Sequence, residues 1–166
     1  MGSIRRLDAT GFPLLLARLA VGIAFLYYGV QKIADPIAFL KSIEAYNILP
    51  TEPSWIINGI AVVLPWTEVL CAGALLSGIQ LRSAALLTSG MLMAFTPAIY
   101  LLGSSLVGTK PEFQSLCDVI ADCGCGSGAI PVCPKLATNC VLLVLSVWAL
   151  VSRSTRFRGG LIPGVG

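Results

Sequence analysis

The sequence predicts an all-α membrane protein built as a four-transmembrane-helix bundle, and three observations carry that expectation. Hydrophobic residues make up 56% of the chain and charged residues 11%, with a mean hydropathy of +0.86, far from the usage of a water-soluble domain. The apolar residues gather in four stretches, Phe12 to Ile33, Trp55 to Leu76, Ser83 to Leu106 and Pro134 to Ser152. Each is near the ~20 residues a helix needs to cross a bilayer. The short alternating segments of a β-barrel are absent, and only helices or closed barrels satisfy their backbone groups in hydrocarbon. Four spans use about half of the 166 residues, so residues 1–166 are expected to form a single membrane domain with no separate soluble module.

The first stretch follows Arg5 and Arg6. Its apolar region is too long for a signal peptide and no small-residue cleavage site follows, so it is expected to remain as a span, with the arginines as anchoring charges and not a twin-arginine export signal. Within it Arg18, Gly22, Phe25, Gly29 and Lys32 recur at intervals of four and three, which places them on one helix face. The glycines suit close helix packing, and Lys32 is expected to snorkel to the interface. After Asp35-Pro36, Ile37 to Tyr46 reads as a surface helix with Ile37, Phe39, Leu40 and Ile43 toward lipid and Lys41, Ser42 and Glu44 toward water. Pro50 and Pro53 then lead to Trp55, an interfacial anchor for the second span.

Arg18 and Glu68 are the ionisable residues that no interface accommodates, and such residues inside a membrane are costly and mark function by default. Counted from the ends of their spans, their depths differ by only about 3 Å at ~1.5 Å per residue. The expectation is therefore an Arg18–Glu68 ion pair that fixes helix register.

Orientation follows from the basic residues. Arg5, Arg6, Arg82, Arg153, Arg156 and Arg158 fall on the side of the termini, and Lys32, Lys41, Lys110 and Lys135 on the other, among acidic residues. By the positive-inside rule the termini are cytoplasmic and the two longer loops face outward. The net charge of +3 includes no basic run, so nucleic acid is excluded as a partner.

The loop from Val107 to Cys133 carries Cys117, Cys123, Cys125 and Cys133, while Cys71 and Cys140 lie within spans. Four cysteines in an oxidising compartment suggest two disulfides with three possible pairings. A Cys123–Cys125 ring would be small and strained, and strained disulfides exchange readily. Cys133 precedes Pro134, which suits a helix cap, where an unpaired thiolate would be stabilised. Redox exchange is the reading these residues favour over plain stapling. A soft-metal site comes third, because the chain has no histidine and no paired Cys-x-x-Cys modules.

Taken in order, the first-span stripe, Pro65-Trp66-Thr67-Glu68 with Gly73 and Gly78, Arg82, and Asp122-Cys123-Gly124-Cys125-Gly126 resemble the DoxX family. Within it the likeness is greatest to the methylamine-utilisation group MauE. The resemblance runs from about Arg18 to the end of the fourth span. It implies a four-helix inner-membrane protein of redox and sulfur chemistry, linked to maturation of a disulfide-rich periplasmic protein beside a thioredoxin-like partner. The bundle is also similar to that of vitamin K epoxide reductase and DsbB, which implies quinone as an electron acceptor by analogy. Two features depart from those patterns: Ser127-Gly128 stands where an aromatic is common, and no Cys-x-x-Cys is present.

The resulting expectation is a bacterial inner-membrane thiol-disulfide redox protein with a periplasmic cysteine loop. Its redox residues are Cys123, Cys125, Cys133 and Cys117, its intramembrane polar site is Arg18, Glu68 and Lys32, and no metal is assigned. Quinone is the only cofactor entertained. The alternatives are an assembly subunit with stapling disulfides and a cysteine-based metal-binding membrane protein.

Overall fold

The computed structural model describes residues 12–46, 53–122, 124 and 128–152. Five helices and one small hairpin make up the described chain: α1 (Phe12–Ala34), α2 (Pro36–Ala45), α3 (Trp55–Ser77), α4 (Leu81–Leu106), β1 (Ile120–Asp122), β2 (Ala129–Pro131) and α5 (Val132–Val151). The helices α1, α3, α4 and α5 are long and apolar enough to cross a membrane. Their outward faces are apolar too: Leu16, Ile23 and Val30 on α1 and Leu86, Met93 and Tyr100 on α4 are exposed at seven-residue spacing. A helix that is apolar all round is one whose solvent is lipid.

The breaks between elements have local causes. Asp35 caps α2 by accepting from the Ala38 N–H at 2.9 Å, and Pro36 takes the first helical position. At the other end of the bundle Gly78 closes α3 in the left-handed region, φ 81°, with its N–H donating to the Ala74 carbonyl at 2.9 Å. Gln80 is also left-handed, φ 49°, and α4 starts directly after it. This end is called the turn end below, and the end holding α2 and the hairpin is the hairpin end.

Close packing of α1 on α3 rests on two glycines. A Cβ on Gly22 would lie 2.8 Å from the Leu76 Cγ, and one on Gly29 would lie 2.8 Å from the Val69 Cγ2 and 3.1 Å from the Pro65 carbonyl oxygen. Small residues of this kind let helices approach in lipid, where hydrophobic burial gives no drive to associate. Between α4 and α5, Ser146 donates to the Ala85 carbonyl at 3.0 Å and meets the hydroxyls of Thr88 and Ser89 at 2.7 and 2.9 Å.

Three apolar clusters fill the interior. One, around Leu14, Val21, Leu75 and Ala85, joins the four long helices. A second, around Ile99, Phe113, Val119 and Val132, lies under the hairpin. In the third, Phe39 and Ile43 of α2 pack on Ile57 and Ala61 of α3. The expectation of a surface helix with these residues toward lipid is thus corrected. Phe39, Ser42 and Ile43 are buried, because α2 folds back against α3 and covers the end of the bundle. The hairpin pairs antiparallel with Ala121 opposite Ile130. It is tied to α5 by a Cys117–Cys133 disulfide with Cα atoms 4.9 Å apart.

Candidate functional site

The buried face of α1 carries Arg18, Gly22, Phe25, Gly29 and Lys32, the five residues of the stripe. The two cations on it have different partners from those expected. Lys32 Nζ lies 2.5 Å from Glu68 Oε1, with both side chains buried. Arg18 donates from Nε to the Leu75 carbonyl at 3.0 Å. The expected Arg18–Glu68 pair does not form, and the snorkelling Lys32 is instead an interior ion.

Helix geometry explains the exchange. Gly29 lies against Glu68, so Arg18, eleven residues nearer the turn end, is displaced from Glu68 by about 16 Å. Side chains also lean toward the N-terminus of their own helix. Because α1 and α3 are antiparallel, Lys32 and Glu68 lean toward each other and Arg18 leans away. The sequence estimate had assumed flush helix ends, whereas Arg18 is already level with Leu75 near the last turn of α3.

The ion pair lines a cavity of about 240 Å³ at the place where the three apolar clusters meet. Aromatic rings form much of its wall. Lys32 Nζ lies 5.0 Å from the ring centres of both Phe39 and Phe95. Lys135 Nζ stands 3.7 Å from the ring centre of Tyr28. Both distances are within the range of cation–π attraction. One turn beyond Lys135, Asn139 is buried and lines the cavity without a hydrogen bond among the described residues. Glu68 Oε2 is likewise buried without a partner. Ile60 and Leu64 of α3 and Ala94 and Ala98 of α4 also line it, and exposed Ala94 marks where it opens on the lipid-facing surface.

Gly124 completes the wall. It adopts φ +64°, and a Cβ there would lie 2.9 Å from the Ser42 Cβ and 3.3 Å from the Phe39 ring. Only glycine combines that backbone with so close a seat on α2. Its sequence neighbours Cys123 and Cys125, the redox candidates, lie outside the described residues. Cys117 and Cys133 are bonded to each other. Cys133 is the second residue of α5, whose cap is Pro131, so it is neither the cap nor a thiolate in this state. Cys71 is a free buried thiol and Cys140 a free exposed one.

The apolar wall with a few converging polar groups is the usual form of a small-molecule site. It is built on five helices, and four of them, α1 to α4, lie within residues 10–110. The family model described as Methylamine utilisation protein MauE matches residues 10–110, more than half of the chain. The chain belongs to the MauE family. As a member of this membrane-protein family, it carries Arg18, Lys32, Glu68 and Phe95 inside the matched segment. The disulfide, the hairpin and α5 lie beyond it. No curated protein and no solved structure matches the chain.

Sequence reasoning missed Lys135, Asn139, Tyr28 and Phe95 as parts of this cavity. Lys135 was counted as an outward-side charge because it stands near the start of its span. The available signal was Lys135-x3-Asn139, two strongly polar side chains one turn apart in an apolar helix.

Proposed function

We propose that this MauE-family protein is an inner-membrane thiol-disulfide oxidoreductase that passes electrons from Cys123 and Cys125 to a quinone in the Lys32–Glu68 cavity. The observation that carries the reading is Gly124: the residue between the two cysteines forms part of the cavity wall, beside a buried ion pair. That contact supports taking together the two chemistries that the sequence suggested separately.

A quinone ring fits the residues present. Phe39, Phe95 and Tyr28 supply aromatic walls, Lys32, Lys135 and Asn139 supply donors for carbonyl oxygens, and Glu68 Oε2 supplies an acceptor for a hydroxyl of the reduced form. Entry between α3 and α4 past Ala94 suits a substrate dissolved in the bilayer. Quinone takes up two electrons and two protons when reduced. The chain's own steps are sulfur exchanges. A partner dithiol reduces the Cys123–Cys125 disulfide through a mixed disulfide and leaves oxidised. The loop dithiol then returns to the disulfide as quinone becomes quinol, so electrons and protons balance. The partner is a thioredoxin-like or disulfide-rich periplasmic protein, with the loop periplasmic and the termini cytoplasmic. Cys117–Cys133 acts as a staple holding the loop to α5. A role as assembly subunit accounts for that bond but leaves the cavity and its ions without purpose.

The test is covalent trapping. In Cys123→Ser or Cys125→Ser the remaining loop thiol attacks a partner disulfide and, with no second loop sulfur to carry the exchange forward, the mixed disulfide can only revert by attack of the freed partner thiol, so acid quenching and alkylation of free thiols capture it. Non-reducing gels should show a partner-sized adduct that reductant removes, and Cys71→Ser and Cys140→Ser should show none. Absence of an adduct from either loop variant, together with loop disulfides that survive strong reductant, sinks the exchange reading.

A further inference from the structure

The Lys32–Glu68 pair stands between two cavities of opposite character. On one side is the aromatic cavity. On the other is a cleft of about 270 Å³ at the hairpin end, lined by Gln31, Asp35, Ser42 and Asp122. Lys32, Phe39 and Gly124 line both, so the partition between them is a single layer of residues, and Lys32 is the only titratable group lining both sides among the described residues. Glu68 lines only the aromatic cavity, where its Oε2 is buried and has no hydrogen-bond partner among the described residues.

We infer that Lys32 and Glu68 form a proton relay from the polar cleft to the ligand cavity. The inference rests on the proposed thiol-to-quinone reaction and adds how its protons travel. Each electron pair that leaves the loop thiols requires two protons at the quinone oxygens, inside a cavity walled almost wholly by carbon. The ammonium of Lys32 gives a proton to Glu68 Oε1, and rotation of the neutral carboxyl turns that O–H into the cavity, where it passes to the quinone oxygen. Lys32 then regains a proton from the polar cleft, and the two protons lost by the loop thiols pass to water. Two such cycles complete one quinol and leave the pair as it began. The other charged groups facing the relay are Lys135 across the aromatic cavity and Asp35 and Asp122 in the cleft.

The test replaces the ammonium by one cation that carries a transferable proton and one that does not, with decylubiquinone binding as the control for the added bulk of the second. Lys32→Cys is made with Cys71→Ala and Cys140→Ala and purified with its disulfides oxidised. The thiol is alkylated either by 2-bromoethylamine, giving a lysine analogue, or by (2-bromoethyl)trimethylammonium, giving a fixed charge. The loop is then reduced, and decylubiquinone binding and reduction are measured separately. The relay predicts that both products bind decylubiquinone as the wild type does. Only the titratable product should reduce it at the wild-type rate, the quaternary one being slower by roughly 100-fold, the usual weight of general acid–base catalysis. Equal rates for the two products reduce Lys32 to a charge and overturn the relay. Failure of the oxidised, folded protein to be alkylated overturns it too, since the cleft then does not reach position 32. Should Lys32→Cys not fold, Glu68→Gln serves: it keeps an acceptor for Lys32 but cannot ferry a proton, so unchanged reduction with unchanged binding overturns the relay. Wild-type protein whose reduced loop leaves decylubiquinone untouched removes the underlying reading, and the relay with it.

Discussion

Removing Lys32 should harm the fold more than removing Glu68, and removing both should harm it least. A buried pair broken on one side typically costs about 3–5 kcal/mol, whereas replacing both partners by apolar residues is often neutral. The surroundings here are unequal. In Lys32→Met the Glu68 carboxylate loses its one hydrogen bond, with Oε2 already lacking a partner, so the cost should lie at the top of that range. In Glu68→Leu the ammonium keeps the faces of Phe39 and Phe95, each 5.0 Å away. At ~0.5–1 kcal/mol each, those contacts bring the loss down by about 1–2 kcal/mol. The double variant should return to within about 1 kcal/mol of wild type. At roughly 2–4 °C per kcal/mol for a chain of this size, thermal denaturation of the detergent-purified protein, followed by near-ultraviolet circular dichroism, separates the three. Additive losses in the double variant would falsify the coupling, and a larger loss for Glu68→Leu would refute the assigned role of the rings.

Breaking the Cys117–Cys133 staple, with sixteen residues of separation, should cost about 3 kcal/mol by the loop-entropy relation. Cys117→Ser, Cys133→Ser and the double variant should therefore melt at the same lowered temperature, and unequal midpoints would show that the bond is not their shared loss. Gly29→Ala places a methyl 2.8 Å from Val69 and 3.1 Å from the Pro65 carbonyl oxygen, an overpacking worth about 1–3 kcal/mol. Gly73→Ala and Gly90→Ala meet nothing within 4 Å and should leave the melting point unchanged or raised, so a matching fall in all three contradicts the packing seam. For topology, a membrane-impermeant maleimide applied to intact, mildly reduced cells should label the loop cysteines, and labelling only after membrane rupture reverses the orientation.

The bundle was legible because span detection needs only one-dimensional information: length, apolar composition and the four-and-three spacing of the α1 stripe. Other features depend on how helices meet. The pairing of Glu68 turned on the stagger of α1 against α3, and composition does not encode stagger. The burial of α2 was hidden because Phe39 and Ile43 suit lipid and protein equally well. The hairpin was hidden because its strands are three residues each and one ends in proline. The cysteine loop was visible as chemistry, yet the seat of Gly124 against Ser42 and Phe39 spans some 80 residues of chain, which no local pattern reports. Lys135 looked interfacial because distance along the chain from a helix start says nothing of the side on which it faces.

Reduction of a quinone by two loop thiols beside the Lys32–Glu68 pair is the step on which the proposed function stands. Its most direct test is an anaerobic single turnover: protein with a reduced Cys123–Cys125 loop is mixed with one equivalent of decylubiquinone, quinol is measured by absorbance, and the remaining thiols are mapped by mass spectrometry. One quinol per protein is expected, with loss of the Cys123 and Cys125 thiols alone and an intact Cys117–Cys133 bond. Quinone that stays oxidised while both loop thiols remain free contradicts it.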